Sequence, residues 1–561
     1  MFTSLQNLPS ILQRIYAARG IFSIDELNYN LDQLLSYEQL LNIDKAVDCF
    51  IQSLERQERI LIIGDFDVDG ATSTVLAIRA LKAFGFKDVF YLAPNRFTYG
   101  YGLTPGIVDI ASANKPSLIV TVDNGISSID GVLYAKKLGI KVLITDHHVP
   151  GNSLPDADVI VNPNQKNDNF SSKNLAGVGV IFYVMLALRS KLRELNWFVS
   201  NNISEPNMAQ FLDLVALGTV ADVVKLDKNN RILVQQGINR IRKGNCNVGI
   251  KVLLDVANKN CSKVISSDLA FSLAPRLNAA GRLEDISLGI ECLLTDDYRR
   301  AHDIALELDS LNKERRSIEE GMQQQATEFL DDLQLTNDLP YGICLFDDRW
   351  HQGVVGILAS RIKEQFNCPV IAFAKVSDTE LKGSGRSIGE INICEVLNSI
   401  AAEYPELMAK FGGHAMAAGI SIKLENYRDF CDIFNQQITQ HFVVKKCVNQ
   451  EHIDGELSKE DFNIETALLL RNGGPWGHGF VEPLFSGIFR VLTQRVINDK
   501  HLKLTLSYDE GILPIDAIIF SPPNKLLTNN YNEIRALFRL DINEYRGLSN
   551  LQIIIERFDA I

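Results

Sequence analysis

The sequence predicts a multidomain α/β protein: a parallel-sheet domain, a long helical connector, a second α/β domain and a C-terminal β-rich module. Three observations carry this. Between Ile60 and Val161 short apolar runs alternate with helical patterns, the rhythm of βαβ units and a mainly parallel sheet. One amphipathic pattern then runs through Ile304, Leu308, Leu311, Ile318, Met322 and Phe329 at three-, four- and seven-residue steps, as a single long helix requires. From roughly Glu451 the pattern becomes strand-rich.

Residues 1–50 read as a helical lead-in, with helical periodicity over about Ile24–Leu54. Residues 51–300 carry the parallel sheet. Ile60–Ile63, Val89–Leu92, Leu118–Val122, Val142–Ile144 and Val159–Val161 are its buried strands, Ala71–Phe84 and Ile126–Leu138 are helices, and a more helical stretch follows from Phe182 to Leu293. Residues 301–335 form the connector helix, broken by Asn337-Asp338-Leu339-Pro340. Residues 336–445 hold the second α/β domain, opening on Tyr341–Phe346 and patterned to about Ile422. In residues 446–561, Leu502, Leu504 and Leu506 alternate with Lys503, Thr505 and Ser507, the signature of half-buried strands in a small barrel or sandwich. A chain of 561 residues has room for three or four such domains.

Hydrophobic residues make up 46% and charged residues 22%, which places the chain among soluble globular proteins. The nine cysteines, Cys49 through Cys447, form no C-x-x-C pair. That spacing argues against zinc ribbons and secreted disulfide scaffolds and fits a reducing compartment. Met1–Arg14 lacks the basic start and apolar core of a signal peptide, and Leu118–Val122 is far too short to span a bilayer. A cytoplasmic protein with no membrane association is expected. The net charge of −13 opposes a nucleic-acid partner only at long range, because binding depends on where the charges lie.

Part of the acidic excess is concentrated in motifs. In Ile60–Ala71 a buried strand delivers Asp65, Asp67 and Asp69 to its C-terminal end, where open α/β sheets bind ligands. A helix cap needs one carboxylate. Three so close are costly unless a cation neutralises them. Leu118–Gly125 ends a second strand in Asp123, and Val142–Pro150 ends a third in Asp146-His147-His148. Imidazole is a common transition-metal ligand, and an adjacent carboxylate orients it. Asp222, in Leu217–Val224, completes an oxygen-rich, nitrogen-containing set suited to two Mn²⁺ or Mg²⁺ ions, the arrangement that serves phosphoryl displacement by water.

The D-x-D-x-D, V-D-N-G, D-H-H and A-D-V-V motifs resemble the DHH phosphoesterase superfamily. Asn95-Arg96-Phe97, Gly177–Val180, Pro275–Arg282, His351–Gly356 and Phe411–Ala415 narrow the resemblance to its RecJ-type members, over nearly the whole chain. The resemblance implies a two-metal exonuclease that degrades single-stranded DNA from its 5′ end, releasing 5′-mononucleotides in DNA repair and recombination. By the same match, Asp67 and Asp69 bind separate metals with Asp65 nearby, Asp123 bridges them, His147 and Asp222 hold the second, and His148 faces the scissile phosphate. Ile63 stands where DHH phosphatases carry a histidine, a lack that RecJ proteins share.

Residues 336–445 resemble the DHHA1 domain, a substrate clamp. Its Gly383-Ser384-Gly385-Arg386-Ser387, as a bare string more often just a loop, is expected to approach a terminal 5′-phosphate with its backbone, Ser384 and Arg386, joined by Arg96. Arg276, Asn278 and Arg282 are expected on the DNA backbone or scissile phosphate, and His414 on the substrate side of the metals. Tyr101, with Tyr99, suits base stacking, while Phe97 reads as loop packing. The C-terminal module resembles an OB-fold, in which Trp476 and Phe485 either stack bases or fill the core. A monomer working with single-strand-binding protein and a RecQ-like helicase is implied. Two other readings remain: a DHH enzyme of short oligonucleotides or cyclic dinucleotides, and a non-catalytic single-strand-binding scaffold.

Overall fold

The structure, a computed structural model, describes residues 5–93, 95–335, 340–389, 391–444, 452–498, 500–508, 514–522, 524–545 and 548–561. The break expected at Asn337-Asp338-Leu339 lies outside them, as do the side chains of Arg96, Phe97 and Phe329. The chain packs as two compact units, one of Met1–Asn278, Asp285–Leu306 and Glu451–Ile561, the other of Ala279–Glu284 and Glu307–Gln450.

In the first unit, β1 (Ile60–Gly64), β2 (Val89–Leu92), β3 (Leu118–Val122), β4 (Lys141–Thr145) and β5 (Val159–Val161) form one all-parallel sheet in the order β2-β1-β3-β4-β5. β1 and β3 are buried along their whole length, which is why they read as unbroken apolar runs. The strand order reverses between β1 and β3, and a crevice at that switch point receives the loops of both strands. The helix after β1 spans Val68–Ala83, starting three residues before the expected Ala71, because Asp67 caps it by accepting a hydrogen bond from the Gly70 N–H at 3.1 Å.

The lead-in differs from expectation. Ile24–Leu27, Leu31–Gln33 and Tyr37–Gln39 are separate short 3₁₀ turns, and regular helix resumes only at Ile43–Glu55. Ser23 and Ser36 cap two of these turns with their side chains, and such local bonds compete with a continuous helix. An earlier helix, Ser10–Ala18, ties the N-terminus to the C-terminal segment. Arg19 forms a two-pronged pair with Asp454 at 2.7 and 3.0 Å, with both side chains only 6% exposed, and the Tyr16 hydroxyl donates to the Gly473 carbonyl at 2.9 Å. Removing one partner of such a pair strands the other charge. Asp454→Ala is therefore expected to cost about 3 kcal/mol, read as a fall in the urea midpoint; an unchanged midpoint would show that this clasp adds nothing.

The C-terminal segment closes a five-stranded barrel, β11-β12-β13-β15-β14, from β11 (Phe485–Ile497), β12 (His501–Ser507), β13 (Ile515–Ile519), β14 (Glu533–Tyr545) and β15 (Leu548–Ala560). Leu502, Leu504 and Leu506 point inward, as their alternation requires. Trp476 and Phe485 are buried, and the Trp476 indole N–H donates to the Leu470 carbonyl at 2.8 Å. Of the two readings of this pair, core packing is the one the structure bears out, since a ring must be accessible to stack on a base.

The second unit is built on a mixed sheet, β6-β7-β8-β10-β9, of β6 (Ile343–Phe346), β7 (Val370–Lys375), β8 (Glu380–Arg386), β9 (Lys410–His414) and β10 (Ala417–Lys423). Gly383-Ser384-Gly385-Arg386 lies not in a loop but within β8, paired on both sides. A side-chain carbon at Gly383 would stand 2.6 Å from the Phe373 ring. The glycines serve sheet-to-core packing, while Lys382, Ser384 and Arg386 share the opposite face. The backbone is committed to the ladder, so a phosphate would meet side chains here. The connector is one helix, Tyr298–Leu335, with Ile304, Leu308, Leu311 and Met322 buried as the periodicity requires.

Candidate metal centre and phosphate cradle

Three strand ends and one helix end converge in the first unit. Asp65 and Asp67 follow β1, Asp69 stands in the first turn of the Val68–Ala83 helix, Asp123 follows β3, His147 and His148 follow β4, and Asp222 caps the C-terminus of Leu212–Ala221. His147 Nε2 lies 3.1 Å from Asp123 Oδ1, 3.5 Å from Asp222 Oδ2 and 3.9 Å from Asp69 Oδ2. Three groupings have ligand atoms within 4.8 Å of one another: Asp65, Asp67 and Asp123 form one, Asp69, His147 and Asp222 a second, and Asp123, His147 and His148 a third that shares a member with each of the others. Asp123 and His147, joined at 3.1 Å, link the first two.

Each side chain is aimed by specific bonds. Asp123 sits at φ +62°, a left-handed conformation that a non-glycine residue adopts only under constraint. Asn124 supplies the constraint by donating to the Ile63 and Val122 carbonyls at 3.0 and 2.9 Å, which ties the ends of β1 and β3 together. The Asp69 carboxylate accepts the Gly177 and Val178 N–H groups at 2.6 and 2.9 Å, at the positive end of the Gly177–Glu194 helix. Only glycine fits at 177, because a side-chain carbon there would lie 2.5 Å from Asp123 Cβ. His148 Nδ1 is bonded to Asp146 at 2.7 Å, and the half-exposed Tyr101 places its hydroxyl 3.2 and 3.3 Å from the two ring nitrogens. Asn164 and Asn162 donate to the His147 and His148 carbonyls at 2.6 and 2.9 Å.

The electrostatics are those of a cation site. Burial, then the neighbouring Asp67, pushes the Asp69 carboxyl up to about 7. Burial and Asp69 hold Asp123 and Asp222 well above the usual carboxylate range. Among the described residues, Asp69, Asp123 and Asp222 pair with no lysine or arginine, and the buried Asp123 Oδ1 accepts no hydrogen bond. A buried oxygen left in this state, within a carboxylate and imidazole donor set, fits divalent metal. For Asp146, burial alone would raise the carboxyl, but the bond to His148 outweighs it and the group stays below its usual value. The same bond raises His148 against the opposing effect of burial.

Asn278, expected on the DNA, sits beside the ligands, its Oδ1 accepting from the N–H of Val68, between Asp67 and Asp69, at 3.2 Å. Arg276 donates to the Ser272 carbonyl. In the second unit, Arg282 donates to the Gly353 carbonyl at 3.2 Å, and His414 is exposed at the end of β9. Arg386 donates to Ser384 Oγ at 3.0 Å, and both lie against the first turn of the Val355–Phe366 helix. A side-chain carbon at Gly356 would stand 2.9 Å from Ser384 Oγ and 3.0 Å from Arg386 Nη2. A guanidinium and a hydroxyl thus lie side by side against that turn, with Arg386 also donating to the Gly385 carbonyl at 2.8 Å. Asn162 and Asn164 are site components not singled out from sequence; Asp146 is expected there to orient a histidine, and Gly177–Val180 enters only as a motif of the family.

Three family models match in order: the DHH family N-terminal domain over 59–219, the DHHA1 domain over 338–440 and the RecJ OB domain over 453–557. The single-stranded-DNA-specific exonuclease RecJ of Escherichia coli (strain K12) is 50% identical over 98% of this chain and 96% of its own. The chain belongs to the RecJ family. Within the RecJ family, the Thermus thermophilus protein in complex with Mn²⁺ superposes with a TM-score of 0.81 at 27% identity, covering 100% of this chain and 77% of that one. Its complex with Mg²⁺ superposes at 0.75 and 26% identity, covering 100% and 76%. The closed C-terminal barrel falls within the segment matched by the RecJ OB model.

Proposed function

We propose that this chain is a single-stranded-DNA-specific exonuclease that removes 5′-mononucleotides in the 5′→3′ direction with two divalent ions, in DNA repair and recombination. The observation that carries it is the pair of ligand groupings linked by Asp123 and His147. Asp65, Asp67 and Asp123 would hold one ion, and Asp69, His147 and Asp222, with Asp123 shared, the other. Bound there, the ions supply an activated water and neutralise charge on the phosphate. His148, oriented by its bond to Asp146, which raises its basicity, would offer a ring donor to the phosphate as charge develops. Tyr101, beside His148, offers a half-exposed ring to the base.

Ser384 and Arg386, joined by Arg96, would bind the 5′-phosphate and so set polarity, Arg276, Asn278 and Arg282 would contact the DNA backbone or scissile phosphate, and His414 would lie on the substrate side of the metals. Arg386→Ala is expected to remove the preference for 5′-phosphorylated over 5′-hydroxyl strands and to raise KM about tenfold; an unchanged ratio would sink this role. The same reading includes a monomeric cytoplasmic enzyme working with single-strand-binding protein and a RecQ-like helicase. No helix among the described residues is long and apolar enough to cross a membrane.

The deciding experiment uses single-stranded DNA labelled at its 3′ end, with Mn²⁺ or Mg²⁺, beside a blunt duplex. A ladder shortening from the 5′ end with the duplex spared is expected. Cleavage of dinucleotides alone, or binding without cleavage, would overturn the proposal in favour of a short-substrate enzyme or a scaffold.

A further inference from the structure

We propose that a cavity behind the Asp222 turn, in the first unit, is a binding site for a small amphipathic anion, an aromatic-sized apolar body carrying one carboxylate or sulfonate. The cavity holds about 410 Å³ and is walled by Val223, Ile238, Phe271, Trp476 and Val481, a size and lining typical of small-ligand sites. Its rim is unusually apolar for a surface. Phe271 is 73% exposed, Val223 63% and Val481 57%, and such a patch marks an interaction site. Phe271 stands on a π-helical turn, Leu269–Leu273, a distortion that recurs at functional sites.

The charge within the cavity selects the ligand. Arg242 and Arg471 both line it, and among the described residues neither forms an ion pair with a carboxylate. The lining carboxylate, Glu482, is taken by Arg539, and the nearby Asp268 is paired with Lys259 at 2.7 Å. Burial and the Arg471 charge push the Arg242 guanidinium below its usual range. Two like charges in an apolar pocket are relieved by one anion that also fills the apolar space. The wall includes Val220, Ala221, Val223 and Val224, chain neighbours of Asp222 on both sides, and Val223 holds φ +60°, a strained backbone for a β-branched residue. An occupant therefore bears on the turn that carries Asp222, a coupling that rests on the metal reading above.

The test uses the full chain and 8-anilino-1-naphthalenesulfonate, followed by its emission. Saturable binding at one site is expected, weakened about tenfold in the Arg242→Gln/Arg471→Gln variant and for the uncharged N-phenyl-1-naphthylamine, and abolished by Ala270→Trp, which fills the cavity. Wild-type affinity in the double variant, equal affinity for the uncharged probe, or displacement by a thymidine oligonucleotide would overturn the site. Arg471→Gln alone and the uncharged probe keep the test decisive if Ala270→Trp does not fold. The coupling is read separately by electron paramagnetic resonance of Mn²⁺. Saturating probe should change Mn²⁺ affinity about threefold, and no change would overturn the coupling. Failure to bind Mn²⁺ at all would overturn the metal reading while leaving the site standing.

Discussion

Asp123→Asn is expected to lower cleavage of single-stranded DNA by roughly 10³-fold or more while the metal-free protein becomes more stable. The substitution keeps the side chain's shape and removes one charge. That charge links the two ligand groupings, and it lies 3.1 Å from His147. Both ion positions are therefore weakened at once, and the loss appears mainly in kcat, as for an interaction made only while the phosphate is reacting. Without metal the same carboxylate is a liability, buried beside Asp69, Asp67, Asp222 and Asp65. Removing it relieves repulsion, so the urea midpoint in the presence of a chelator should rise. Loss of activity together with gained stability separates a ligand from a folding residue. Cleavage within about tenfold of wild type would end the assignment of Asp123 as the shared ligand.

Much of this centre was legible in the sequence because buried parallel strands are unbroken apolar runs, and the residue after such a run stands at the sheet's C-terminal edge. Asp65, Asp123 and Asp146 follow from that rule alone, with His147 one residue further. The two readings of the Asp65–Asp69 string proved compatible. Asp67 caps the helix through Gly70 and also stands in a metal grouping. The bonds that aim the ligands were not legible, because they join residues distant in the chain. Asn124 reaches Ile63, and the Gly177 N–H reaches Asp69. The same strand-end rule, applied after Val159–Val161, would have flagged Asn162 and Asn164. Glycine content misdirected the reading of Gly383–Ser387, since glycine is enriched both in loops and where a strand is closely overlaid, and only the Phe373 ring above it decides which. The lead-in between Ile24 and Gln39 has helical periodicity, but serine side-chain caps cut it into short turns.

With metal chelated, stability should fall as pH rises from about 5 to about 8, and Mn²⁺ or Mg²⁺ should remove that slope. Burial and Asp67 push Asp69 from an ordinary 3.8 to about 7 in the folded chain. The folded state therefore holds a proton that the unfolded state has released across that window. Stability is fully present below the unfolded value and is lost as pH climbs through the folded one. A shift of this size is worth roughly 4 kcal/mol over the whole window, and roughly 2–3 kcal/mol of it falls between about pH 5 and 8. Asp123 and Asp222 are raised by the same causes and steepen the loss. Bound cations reverse the logic, since they favour the ionised carboxylates. Urea unfolding at several pH values, with a chelator and then with Mn²⁺, checks both halves. A metal-free midpoint that stays level or rises with pH would mean that these carboxylates are already neutralised by the protein itself, and the case for two ions at this crevice would fall with it.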